Sequence, residues 1–154
     1  MRILVVNAGS SSLKLRLVGD GDELLGSEDL PPIDGLGDGD LGRALDKLRG
    51  FDAVGHRIVH GGERYREPVA VEGDVRAELE ALSDLAPLHQ PQSLAGLDAV
   101  TELAPDVPAV ACFDTAFHAT LAPAAATYAV PAEWRDRLHV RRYGFHGLSH
   151  AYAA

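Results

Sequence analysis

Five short stretches of this chain carry the side chains with which small anions are bound and moved. The first is Asn7-Ala8-Gly9-Ser10-Ser11-Ser12-Leu13-Lys14. Glycine opens backbone angles closed to other residues, and three serines bring hydroxyl and N–H donors together beside one lysine. Such a turn reads either as an anion cradle, with phosphate the usual anion, or as an ordinary hairpin turn. The second stretch is Gly55-His56-Arg57-Ile58-Val59-His60-Gly61-Gly62. On a strand, Arg57 and Val59 share one face while His56, Ile58 and His60 share the other. A guanidinium beside a branched apolar side chain suits a small carboxylate, oxygens on the Arg and alkyl end on the Val. On this segment alone, the same Arg reads first as the partner of a structural acid. The two histidines, four residues apart on an extended strand, lie roughly 13 Å apart and cannot share a metal.

The remaining stretches are Pro87-Leu88-His89-Gln90-Pro91, Phe113-Asp114-Thr115-Ala116-Phe117-His118, and Arg141 to His150. Asp114, after an apolar run, can order a nucleophile or ligate a metal. His118 reads as a hydrogen-bonded, half-buried histidine. His146 and His150 have the i, i+4 spacing of a zinc helix, but no Glu follows the first His. A His among glycines at a helix start suits donation to a transferring phosphoryl group. No Gly-x-Ser-x-Gly elbow and no Walker loop is present, which disfavours a serine hydrolase and a P-loop NTPase.

These stretches must be positioned by elements legible from period and punctuation. Strands are expected at about 2–7, 12–18 and 23–30, with Gly19-Asp20-Gly21-Asp22 as the second turn. Pro31 to Gly42 reads as a surface loop, and its Asp34, Asp38 and Asp40 lack the closing Glu of a calcium loop. Leu41, Leu45 and Leu48 space a helix over 41–49. Ala53–Val59 reads as a buried strand, 73–85 as an amphipathic helix (Val75, Leu79, Leu82, Leu85), and about 91–103 as another. Val107–Phe113 is a further strand, 131–138 a short helix after Pro131, and Gly144–His150 a loop opening a last helix. The order βββαβααβ, with helices expected on both faces, is an α/β domain whose polar clusters follow strand ends.

Composition excludes several classes. The 154 residues are 46% apolar, which fits one compact domain. A net charge of −9 argues against a nucleic-acid or anionic-membrane surface. Cys112 stands alone, so no internal disulfide can form, as suits a reducing cytoplasm. The first apolar run is too short for a signal-peptide core, and no segment reaches membrane-spanning length. A cytoplasmic location is expected.

Taken together, Val5 to Lys14, Val54 to Gly62, Ala86 to His89, Phe113 to His118 and Arg141 to His150 closely resemble the acetate kinases. That family belongs to the sugar kinase, Hsp70 and actin superfamily. The resemblance implies a ribonuclease-H-like mixed sheet with flanking helices, one half of a two-domain kinase. It implies reversible, ATP-dependent phosphorylation of acetate to acetyl phosphate with Mg²⁺ or Mn²⁺, and ADP as the other product. Asn7 would lie at the metal, and Lys14, Ser10 and Ser12 at the nucleotide phosphates. Arg57 would hold the carboxylate, with Val59, Leu88 and Phe145 walling the methyl pocket. Asp114 would be the catalytic carboxylate, His146 would stabilise the transition state, and His89 would support the site from nearby.

Two positions depart from the family pattern: Gln90 replaces an asparagine and Leu148 a threonine. Modest effects are expected at both. Family members are more than twice as long, so residues 1–154 are expected to be an N-terminal domain, its last helix cut short and the nucleotide-binding half absent. Full-length members are expected to be homodimers. Two other readings stand beside this one. The first is a propionate or butyrate kinase. The second is a non-catalytic module that binds a partner chain.

Overall fold

A computed structural model describes residues 1–154. Its centre is a six-stranded mixed sheet: β1 (Ile3–Ala8), β2 (Leu13–Val18), β3 (Leu24–Leu30), β4 (Ala53–Ile58), β5 (Val69–Ala70) and β6 (Ala109–Phe113). The spatial order is β3-β2-β1-β4-β6-β5. The first three strands form antiparallel hairpins, while β1, β4 and β6 run parallel. Alternation along β1 and β2 sends Leu4, Val6, Ala8, Leu13, Leu15 and Leu17 to one face, all buried. Val54, His56 and Ile58 of β4 and Ala111 and Phe113 of β6 continue that face.

Helices α1 (Asp40–Lys47), α2 (Val75–Glu80) and α3 (Gln90–Leu103) supply the second layer. Leu41, Leu45 and Leu48 meet the β1–β2 leucines and Val100 of α3 in one cluster. Leu79, Leu94 and Leu97 meet Ile58 and Phe113 in another. Each fully buried Leu contributes about 1.5–3 kcal/mol by removal from water. At Gly96 a Cβ would lie 2.8 Å from that of Ala8, so a glycine lets α3 pass against the end of β1.

The structure differs from the sequence reading in four places. Helices α1, α2 and α3 all pack on one face of the sheet rather than on both. The opposite face carries Val5, Gly55, Val110 and Cys112, and Val5 is 37% exposed. The expected helix over 73–85 breaks: α2 ends at Glu80, and a 3-10 turn follows at Ser83–Leu85, where Ser83 and Asp84 disfavour a continuing helix. The two-residue edge strand β5, preceded by Pro68, pairs antiparallel with β6. It is too short to show a period. Beyond β6, a 3-10 turn (Ala116–His118) and the four-residue helix α4 (Pro123–Ala126) precede α5 (Ala132–Leu138) and α6 (Gly147–Ala153). No helix is long and apolar enough to cross a membrane.

Candidate active site at the ends of the parallel strands

Residues facing away from the helices are arranged by strand register. Asn7 and Lys14 are cross-strand partners at the end of β1 and start of β2. Val5 pairs with Gly55 and Arg57 with Cys112, so two positions on, Asn7, Arg57 and Asp114 line up on one face. This is the carboxyl end of the parallel strands, where open α/β sheets place ligands.

The line-up closes into a connected set of hydrogen bonds. Arg57 donates from Nε and Nη2 to Asp114 Oδ2, at 3.0 and 2.6 Å, and from Nη1 to Asn7 Oδ1 at 3.0 Å. The Asp114 side chain is 2% exposed and that of Arg57 25%. The two readings of Arg57 therefore meet, because the acid it pairs with is itself a candidate site residue. Desolvation of such a pair is offset only by good geometry, and the two donors on one oxygen supply it.

A cavity of about 590 Å³ opens over this set. Its wall includes Asn7, Ser10, Ser12, Lys14, Arg57, Val59, Leu88, His89, Asp114, Phe145 and His146, so every residue singled out for the site lies on it. Val59 is buried, whereas Leu88 is 77% and Phe145 42% exposed, which leaves the apolar side open to water. Leu85, Ala86, Pro87, Ala8, Gly9 and Ser11 complete the wall. The helical spacing of Leu85 places it on a buried face. The break after α2 turns it outward, 50% exposed.

The serine turn is tight: Gly9 N–H donates to Ser12 O at 2.9 Å. Gly9 does not adopt a positive φ, and a Cβ there would meet Ser12 O at an ordinary 3.5 Å. The conformational freedom expected of this glycine is not used.

The Phe145–His146 side is held by backbone approach. Gly147 N–H donates to Asp114 O at 3.0 Å, and a Cβ at Gly147 would lie 2.0 Å from that oxygen. Only glycine lets the start of α6 touch the end of β6. His146, immediately before, has φ 55°, a left-handed conformation uncommon outside glycine. Such strain persists only where surroundings enforce it. Outside the cavity, His118 is half-buried with Nε2 3.0 Å from Phe145 O, and its ring lies 5.5 Å from that of His150. His56 is fully buried under α3, and both of its ring nitrogens lack a partner. Burial lowers its pKa from 6.5 to about 4.

The model of the acetokinase family matches residues 41–154. The chain belongs to the acetokinase family. An acetate kinase of Thermotoga maritima is 42% identical over 188 aligned positions, covering all of this chain and 46% of the relative. One from Arthrobacter sp. FB24 is 41% identical, again covering all of this chain and 45% of the relative. Among solved structures, a propionate kinase from Francisella tularensis superposes with a TM-score of 0.85 at 32% identity, over 99% of this chain and 47% of that one. The Porphyromonas gingivalis acetate kinase gives 0.82 at 32% identity, over 97% and 46%. The acetokinase fold described above thus spans about half the length of the curated relatives it matches.

Proposed function

We propose that this chain supplies the carboxylate-binding side of an acetate kinase, which transfers the γ-phosphoryl group of ATP to acetate. The observation that carries this reading is the Arg57–Asp114–Asn7 set at the floor of a cavity with one apolar and one serine-rich wall. Arg57 anchors the acetate carboxylate, while Val59, Leu88 and Phe145 receive the methyl group. A carboxylate oxygen attacks the γ-phosphorus. The P–O bond to the β-phosphate breaks, and the products are acetyl phosphate and ADP. Ser10, Ser12 and Lys14 bind nucleotide phosphates, and His146 donates to the equatorial oxygens as charge shifts. In-line transfer requires positioning and donors more than covalent help, and one such donor is worth about 3–4 kcal/mol of barrier.

Asn7 and Asp114 offer oxygen atoms to either side of the Arg57 guanidinium. No cluster of three ligating acidic, His or Cys side chains exists, so phosphate and water would fill most positions, as Mg²⁺ favours. Asn7 would hold Mg²⁺, or Mn²⁺ in its place, with Asp114 beside it, and the ion would neutralise phosphate charge.

Hydroxylamine trapping of acyl phosphate, with Mg-ATP and acetate, tests the reading. Product that falls about a hundredfold or more in Arg57→Ala and Asp114→Ala supports it. An unchanged kcat/KM for acetate in Arg57→Ala refutes the site assignment. The likeness to a propionate kinase structure favours a second reading, in which the acid has three carbons. A methylene changes discrimination by only about 1–3 kcal/mol, so rates across the acid series separate the two.

A further inference from the structure

Three of the segments that line the cavity are far apart in sequence: Arg57–Val59 at the end of β4, Pro87–His89 before α3, and Phe145–His146 before α6. One buried side chain adjoins two of them and reaches the third through a neighbour. Gln90, the first residue of α3, is completely buried and directly follows His89. Its Oε1 accepts the His60 N–H at 3.1 Å, and its Nε2 donates to the His60 carbonyl at 3.1 Å and the Leu79 carbonyl at 3.2 Å. A side-chain amide thus brackets one backbone residue from both sides, as a neighbouring strand would. β4 has ended at Ile58, so the amide continues its pairing by two residues and fixes the direction of Val59.

His60 passes the constraint on. It is 1% exposed, and its Nδ1 accepts the Gly62 N–H at 2.8 Å, which leaves the neutral ring's proton on Nε2. Burial also lowers its pKa, favouring that neutral form. The ring stands edge-on to Tyr143 at 4.4 Å and to Phe145 at 5.9 Å. Edge-to-face pairs have a preferred geometry, so the angle of His60 determines where Phe145 sits.

We propose that Gln90 is a positioning residue of the carboxylate pocket: it acts through His60 to hold Val59 and the Phe145–His146 loop in register with Arg57. The proposal rests on the carboxylate-kinase reading for what the pocket binds, and not for the positioning itself. It assigns more than a modest effect to the glutamine at this position. Two polar atoms, the His60 N–H and carbonyl, have no other hydrogen-bond partner, while the Leu79 carbonyl also accepts from Leu82 N–H.

The test uses Gln90→Met, which keeps length and removes both hydrogen-bonding ends, and Gln90→Glu, which keeps only the acceptor. Urea melts establish that each is folded. If Gln90→Met does not fold, Gln90→Glu at pH 7.5 is compared with wild type in its place. Heteronuclear NMR then follows Val59, Tyr143, Phe145, His146 and the His60 ring nitrogens, with the Gly9–Lys14 turn as reference. Acetate affinity is read from the same titrations.

The expected result is displaced Val59, Phe145 and His146 resonances and a His60 ring that mixes tautomers. The serine turn stays unmoved, and the acetate dissociation constant rises about tenfold or more. A folded variant with wild-type resonances at these residues and wild-type acetate affinity overturns the proposal. So does a shift spread equally over the serine turn, which marks a general loosening. Wild type that fails to bind acetate counts against the proposed function alone, because the resonances still decide the role of Gln90.

Discussion

Acid should destabilise this protein chiefly through His56, and replacing that histidine should remove its share of the effect while that of buried His60 stays. His56 sits in the middle of β4, between Val6 of β1 and Ala111 of β6, and beneath α3. It is 1% exposed, and neither ring nitrogen has a partner. Burial outweighs the favourable field of Asp98 and lowers its pKa from 6.5 to about 4. Between those two pH values the unfolded chain holds more protons than the folded one, so folding stability rises with pH there. The contribution is complete above about pH 6.5 and is lost as pH falls toward 4. At about 1.4 kcal/mol per tenfold change in proton affinity, the loss is about 2 kcal/mol at pH 5 and about 3 kcal/mol near pH 4. His56→Leu removes the titration together with two unpaired nitrogens, so at pH 7.5 its stability should lie within about 1 kcal/mol of wild type. Urea unfolding of both proteins from pH 7.5 to pH 4.5 provides the comparison. The wild-type curve should fall below that of the variant by about 2 kcal/mol at pH 5. Parallel curves, or a His56 ring that titrates near 6.5 by NMR, would show that the strand tolerates the charge and refute the reasoning.

Val59→Ala deepens the apolar wall, and the ratio of propionate to acetate kcat/KM should rise by about tenfold, measured across the acid series by hydroxamate formation. Gly147→Ala forces a Cβ to within 2.0 Å of Asp114 O, although alanine is otherwise a better helix former. The melting temperature should therefore fall by about 4–8 °C, and a rise would mean that α6 does not need this close approach. Chelating divalent cations with EDTA should leave acetate-induced NMR shifts at Arg57 and Val59 intact while weakening ATP-induced shifts at Ser10–Lys14. Equal loss of both would show that the two sides of the cavity do not differ in charge.

What could be read from the sequence was whatever one element carries alone. Alternation on β4 put Arg57 and Val59 on one face, and the apolar run of β6 put Asp114 at a strand end. The β1–β2 hairpin followed from two apolar runs around one polar turn. What could not be read was set by elements meeting. The Arg57–Asp114 pair joins residues 57 positions apart, and only the β4–β6 register brings them side by side. Leu85 has the spacing of a buried helix face, yet Ser83 and Asp84 end that spacing and turn it to the cavity. His146 takes a left-handed conformation that its residue type disfavours, because Gly147 is anchored to Asp114 O. That α1, α2 and α3 share one sheet face is set by where helices pack, and amphipathic periodicity shows only that they have an apolar side.

The charges on the cavity wall are divided unevenly between its two sides. Arg57 spends three of its five N–H groups on Asp114 and Asn7. Two remain, enough for a carboxylate to bind without breaking the pair. Its positive charge, however, is already offset by Asp114, so a bound carboxylate leaves that side with net negative charge. On the other side Lys14 is the only basic side chain other than histidine, set among neutral serines. Two like unit charges at about 4 Å repel by about 4 kcal/mol at an effective dielectric near 20, and a nucleotide terminus carries more than one. Hydroxyl and amide dipoles reduce that cost without cancelling it. The acid can therefore be held by this chain's own residues, whereas a phosphoryl donor brought toward it needs positive charge from elsewhere. That asymmetry is why removing divalent cations should separate the two ligands, weakening the nucleotide's hold on the serine turn and sparing the carboxylate's hold on Arg57.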